Sequence, residues 1–129
     1  MIVVDASVVL EVLLQTPAAS RVSRRIFASA ETLDAPHLLD VEIEQVFGRY
    51  PRSGVISSGR GAEALMDLAD LPLSRYPHFV LLPRIWHWRR NLTAYDAAYW
   101  ALAEALGAPL LRRDRALASA RAGVPVEGL

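Results

Sequence analysis

Four carboxylates in this chain occupy positions from which they could meet: Asp5, Glu42, Asp96 and Asp114. Asp5 directly follows the apolar run Ile2-Val3-Val4, Glu42 is set among apolar neighbours, Asp96 opens an alanine-rich segment, and Asp114 comes just after Leu110-Leu111. Acids held close together repel and resist ionising together. A hard divalent cation, Mg²⁺ or Mn²⁺, removes that conflict, because these ions take carboxylate and water ligands. Such a cation activates water and stabilises in-line displacement at phosphorus. The chemistry this pattern suggests is therefore metal-assisted hydrolysis at phosphorus. Each acid also has an ordinary structural use. Asp5 suits a turn, Glu42 an ion pair with Arg49, Asp96 a capping box with Thr93, and Asp114 the cap of a helix over 115–122.

Bringing the acids together requires particular elements. Ile2-Val3-Val4 is β-branched and suits a strand buried on both faces of a parallel sheet. Ligands of open α/β sheets bind outside the carboxyl ends of strands, which is where Asp5 would lie. Ser7 is read as the cap of a helix over 8–14 that stops near Pro17. An amphipathic helix over 18–30 carries Arg21, Arg24 and Arg25 as a solvated face, and a short strand over 33–35 follows. Pro36 opens a helix over 38–47. On it Glu42 falls inside the apolar arc, between Leu38 on one side and Leu39 and Val46 on the other. A glutamate there is seldom buried without a partner or a metal.

Residues 51–61 are a Pro/Gly/Ser-rich break, and a helix over 62–70 ends before Pro72. Gly59-Arg60-Gly61 lacks a third glycine and a preceding strand, so it is no dinucleotide-binding turn. Phe79-Val80-Leu81-Leu82 reads as a strand, and 85–90 as a short helix with Trp86 and Trp88 as core or interface anchors. The stretch 93–117 organises the rest. Thr93 caps a helix over 97–106, Gly107 ends it, and Pro109-Leu110-Leu111 enters a strand. Strand alternation then puts Arg112 and Asp114 on one side and Arg113 on the other. Val124-Pro125-Val126 offers a closing edge strand, where proline is tolerated. The alternation of elements implies a three-layer α/β/α sandwich with a mainly parallel sheet, one domain over residues 1–129.

Composition narrows the function classes. The formal charge is zero, so no global basic field announces a nucleic-acid partner. All 14 cationic residues are arginine, the better phosphate fork. The absence of cysteine excludes disulfides, thiolate catalysis and Cys-ligated zinc. His37, His78 and His87 form no metal-spaced set. No run is long enough to span a bilayer, and the N-terminus lacks the basic region of a signal peptide. The expected location is the cytoplasm.

The segments VVDASVVLEVLL, PHLLDVEIEQVF, NLTAYDAAYWALAEALGAPLLRRDRAL and GVPV resemble the PIN-domain family, and within it the VapC-type toxins of bacterial toxin–antitoxin pairs. The resemblance covers nearly the whole chain. It implies a PIN fold and a metal-dependent endoribonuclease that forms homodimers and is held inactive by a VapB-type antitoxin. It places the family's acidic quartet on Asp5, Glu42, Asp96 and Asp114. Asp5 and Asp96 would ligate the metal, Asp114 would join them or bind through water, and Glu42 would help hold the metal or its water. Ser7 matches a hydroxyl often kept beside the first acid. The pattern departs at Arg112, where the family usually has Thr or Ser two residues before the last Asp.

Other classes fit less well. A receiver-type signalling domain needs a lysine, and there is none. A haloacid-dehalogenase-type phosphatase wants D-x-D after the first strand, where this chain has Asp5-Ala6-Ser7. The remaining alternative is a PIN-like module that binds RNA or protein without cleaving.

Overall fold

The computed structural model describes residues 1–28, 30–53, 57–113 and 123–129. β1 (Ile2–Val4) is the middle strand of a five-stranded parallel sheet. The others are β2 (Leu33–Pro36), β3 (Leu73–Tyr76), β4 (Leu110–Arg112) and β5 (Val126–Gly128), in the order β3-β2-β1-β4-β5. β1 meets β2 at Ile2↔Leu33 and β4 at Val3↔Leu110. All three β1 residues are fully buried, as a strand covered on both faces requires.

The chain steps outward from β1 to β2 to β3, then returns across β1 to β4. Right-handed crossovers put the helices of the outward steps on one face and those of the return on the other. The first group is α1 (Ala6–Leu14), α2 (Ala19–Phe27), α3 (Leu38–Ser53) and α4 (Ser58–Asp70); α1 touches each of the other three. The second is α5 (Leu82–His87) and α6 (Ala94–Leu106), which touch each other. The result is the expected α/β/α sandwich. The strand order reverses between β1 and β4, and the crevice above that reversal is where doubly wound sheets bind ligands.

α6 is the helix most enclosed by the fold, with residues 97–103 all buried. Small alanines let it sit close to β1, β2 and β4, and Trp100 fills the remaining volume with no exposed surface. Thr93 caps α6 by accepting a hydrogen bond from the Asp96 amide, and Gly107 ends it at φ +62°, a left-handed value that glycine takes without strain.

The third strand lies at 73–76, not at 79–82. Pro77 stops β3, residues 79–81 form a 3₁₀ turn, and Pro83 sits in the first turn of α5, where a missing amide costs nothing. β3 is an edge strand, so it does without the continuous apolar run that a central strand has. Of the run at 79–82 only Leu81 joins the core, while Phe79 is 76% and Val80 71% exposed. α1 is capped by Asp5, whose carboxylate accepts from the Val8 amide, and not by Ser7. α3 runs past Pro51, and α4 begins at Ser58, capped by Ser57. Residues 51–53 and 58–61 of the expected break are therefore helical. Arg25 is more than a solvated charge: it holds Glu127 of β5 through two hydrogen bonds of 2.7 Å. Asp114 and the helix expected over 115–122 lie outside the described residues.

Candidate active site

Asp5 leaves the carboxyl end of β1 and starts α1, so one residue ends a strand, caps a helix and enters the crevice at the strand-order reversal. It is buried. Oδ1 accepts from the Ser7 hydroxyl at 2.5 Å and from the Val8 amide at 3.3 Å. Ser7 Oγ in turn accepts from the Arg113 amide at 3.1 Å, which ties the end of β1 to the end of β4. The second oxygen of Asp5 faces Arg112, the last residue of β4.

Arg112 stands between two of the predicted acids. Its Nε is 3.0 Å from Asp5 Oδ2, and its Nη2 is 3.4 Å from Asp96 Oδ1. The side chain is only 17% exposed, and Nε has no aligned hydrogen-bond acceptor. The Asp5 contact is thus an ion pair of poor hydrogen-bond geometry. Asp96 projects from the first turn of α6. The capping box with Thr93 is half made: Thr93 accepts the Asp96 amide, while the Asp96 carboxylate turns to Arg112.

Glu42 reaches the same place from α3. Its partner is Tyr99 of α6, whose hydroxyl donates to Oε1 at 2.5 Å, and not Arg49. Burial pushes the Glu42 carboxyl up, the Tyr99 hydrogen bond opposes this, and the charges of Asp5 and Asp96 push it up further. Asp5 is also raised, by burial above all, against the Ser7 hydrogen bond and the Arg112 charge. Burial and the Glu42 charge raise Tyr99, so it stays a donor. Asp5, Glu42 and Asp96 therefore share one electrostatic environment. Three carboxylates against one guanidinium leave a local excess of two negative charges when all are ionised.

Among the described residues no three acids or histidines stand close enough to form a ready metal cage. The space between Asp5 and Asp96 is taken by the Arg112 cation. The donor set still suits a hard divalent ion: oxygen ligands only, in mutual repulsion, already paired across a positive charge. Tyr99 and the Ser7–Arg113 link were not foreseen from sequence. Tyr99 reads as one more apolar position of α6, and its partner is 57 residues away.

The raised carboxyls have a consequence for stability. Where the folded pKa exceeds the unfolded one, the folded protein binds more protons across the window between them, so stability falls as pH rises through it. For Glu42 that window opens above its ordinary value of 4.5. Glu42→Gln removes the charge and keeps an Oε1 for Tyr99. The metal-free variant is expected to melt higher than wild type at about pH 7, with the difference closing towards about pH 4. Melting curves at the two pH values check this. A lower melting temperature at neutral pH would mean that Arg112 stabilises the Glu42 charge by more than burial penalises it.

Beside the acids runs an open groove of about 520 Å³, lined by Ala6, Leu38, Glu42, Gln45, Arg49 and Tyr95 among others. Tyr95 adjoins Asp96 and is 62% exposed.

The PIN domain family matches residues 2–123. Ribonuclease VapC9 of Mycobacterium tuberculosis is 43% identical over 114 residues, covering 88% of this chain and 86% of the relative. Ribonuclease VapC1 of the same organism is 41% identical over 126 residues, covering 97% and 93%. Among solved structures, VapBC2 from Rickettsia felis, bound to a promoter DNA fragment, superposes at a TM-score of 0.74 with 11% identity, covering 100% of this chain and 99% of that one. PAE2754 from Pyrobaculum aerophilum does so at 0.68 with 22% identity, covering 96% and 87%. At these identities the structural likenesses speak for the fold alone.

Proposed function

Because the chain belongs to the PIN domain family, we propose that it is a divalent-metal-dependent endoribonuclease and the toxin of a toxin–antitoxin pair. The observation that carries this is the pairing of Asp5 and Asp96 across a single cation at the reversal of strand order, with Glu42 held close by Tyr99. Relatives named as ribonucleases, similar over most of their length, support the substrate class.

In this reading Asp5 and Asp96 hold Mg²⁺ or Mn²⁺. Glu42 helps to hold the ion or its water, and Asp114 completes the quartet. When bound, the ion lowers the proton affinity of water and offsets the charge that builds on the phosphoryl oxygens. The chain's own residues set the geometry. Ser7 fixes the Asp5 carboxylate through Oδ1 and leaves Oδ2 free to face a cation. Tyr99 fixes one oxygen of Glu42. The groove offers Tyr95 as a stacking surface and Arg49 as a phosphate contact for a single strand.

The exposed run Phe79, Val80, Leu82, with Trp86 beside it, supports a homodimer, since apolar surface gathered in one place marks an interface. We place a VapB-type antitoxin over the acids and groove. Among the described residues no helix is long and apolar enough to cross a membrane, and the proposal puts one PIN domain over residues 1–129 in the cytoplasm. A second reading draws on Arg112: with a guanidinium between its acids, the chain would be a PIN-like module that binds RNA or protein without cleaving.

Incubation with single-stranded RNA separates the two. Chelator is expected to abolish cleavage, and added Mg²⁺ or Mn²⁺ to restore it. Cleavage that persists in chelator overturns the mechanism, and RNA binding with no cleavage under any metal favours the second reading.

A further inference from the structure

Arg112 departs from the family pattern, and the structure puts it at the centre of the site. Its guanidinium is largely buried, faces Asp5 at 3.0 Å and Asp96 at 3.4 Å, and leaves Nε without an aligned acceptor. An arginine in good pairing makes forked, parallel hydrogen bonds. The half-buried Arg25 does so here with Glu127; Arg112 makes no such fork with Asp5 or Asp96. Its contacts with Asp5 and Asp96 balance charge and leave Nε unsatisfied.

We propose that Arg112 is a substrate-phosphate ligand parked on the two carboxylates that a metal would need, so that a phosphodiester and the divalent ion load the site together. The argument is one of competition and linkage. A guanidinium and a divalent cation cannot both lie between Asp5 and Asp96 without strong repulsion. A metal must therefore displace Arg112, and the displaced charge needs an acceptor. A phosphate oxygen pair matches the guanidinium fork better than the two separated carboxylates do. The phosphate draws Arg112 off the acids and frees them, and the bound ion in turn leaves Arg112 for the phosphate. Each ligand thus raises the other's affinity by the same factor. Between turnovers the guanidinium offsets part of the repulsion among Asp5, Glu42 and Asp96, which gives the metal-free protein a reason to keep it there.

This rests on the metal-dependent reading of the site, and binding measurements test it without reference to activity. Mn²⁺ is titrated by calorimetry into wild type and Arg112→Thr, with and without a short single-stranded phosphorothioate oligonucleotide. Oligonucleotide binding is read separately by fluorescence anisotropy. The variant is expected to bind Mn²⁺ at least about tenfold more tightly than wild type, because the competing cation is gone. The oligonucleotide is expected to tighten Mn²⁺ binding at least about fivefold in wild type and to have little effect in the variant. Arg112→Gln carries the same expectation should the threonine variant fail to fold. Equal or weaker Mn²⁺ affinity in both variants overturns the proposal and leaves the metal site standing. Absence of Mn²⁺ binding in wild type and variants alike overturns the metal reading and this proposal with it.

Discussion

Asp5→Asn is expected to lower RNA cleavage by about 10³-fold or more while leaving the protein folded. The size follows from the loss, at the end of β1, of the charged group proposed to hold the metal. A thousandfold corresponds to roughly 4 kcal/mol of transition-state stabilisation, within the several kcal/mol a polarising metal supplies. The fold should survive because asparagine is as good a helix cap as aspartate and keeps an oxygen for Ser7 and the Val8 amide. The variant also loses a carboxylate that burial disfavours in its charged form. Purified wild type and variant are compared on single-stranded RNA, with circular dichroism as the folding control. Inducible expression with mapped RNA ends repeats the comparison in a bacterial host. A folded variant that cleaves at the wild-type rate would place the chemistry elsewhere.

The second large effect is on stability. Trp100→Ala is expected to cost about 3–5 kcal/mol, a large share of the roughly 5–15 kcal/mol available to a domain. Trp100 is fully buried in α6 and meets Trp88 edge-on at 5.8 Å between ring centroids. Its removal leaves a hole between α6 and α5 that the sheet cannot fill, because β1, β2 and β4 hold their positions by hydrogen bonding. Urea unfolding with unchanged slope and a lower midpoint would register the loss. Trp100→Phe is expected to cost much less, since the indole nitrogen has no hydrogen-bond partner in the protein to lose. A loss under about 1 kcal/mol for the alanine variant would contradict the packing described.

The parts of the fold with long, regular patterns were legible in the sequence, and so were the acids they carry. β1 is a continuous β-branched run, α6 has both a threonine cap and a glycine stop, and Asp5 and Asp96 follow from those ends. Arg112 stood out as a cation among acids, and strand alternation brought it to the correct side. β3 escaped because four residues at a sheet edge carry little periodicity, while the apolar run at 79–82, of which only Leu81 is buried, imitated a buried strand. Buried Asp34 in β2 also escaped. Thr32 and Tyr76 satisfy its carboxylate at 2.9 Å and 2.8 Å, and Tyr76 lies on a strand that was not anticipated. Tyr99 and Glu42 find each other only once α3 and α6 are both placed, a tertiary fact that no local spacing contains. Asp114 lies outside the described residues, so its place in the quartet stays with the family resemblance.

The strand that begins the chain is also the middle of the sheet, and its partner on one side comes almost at the other end: Val3 pairs with Leu110, 107 residues later (110 − 3). A ribosome adds about 5–20 residues each second, so on the order of 5–20 s separate the synthesis of these two strands. Until α6 and β4 have been made, Asp5 has neither Asp96 nor Arg112 to face, and the β4 side of β1 is open. For the ribonuclease proposed above this is a safeguard in time: a nascent chain without α6 and β4 lacks Asp96 and Arg112, and a message broken before the codons of β4 yields no complete site.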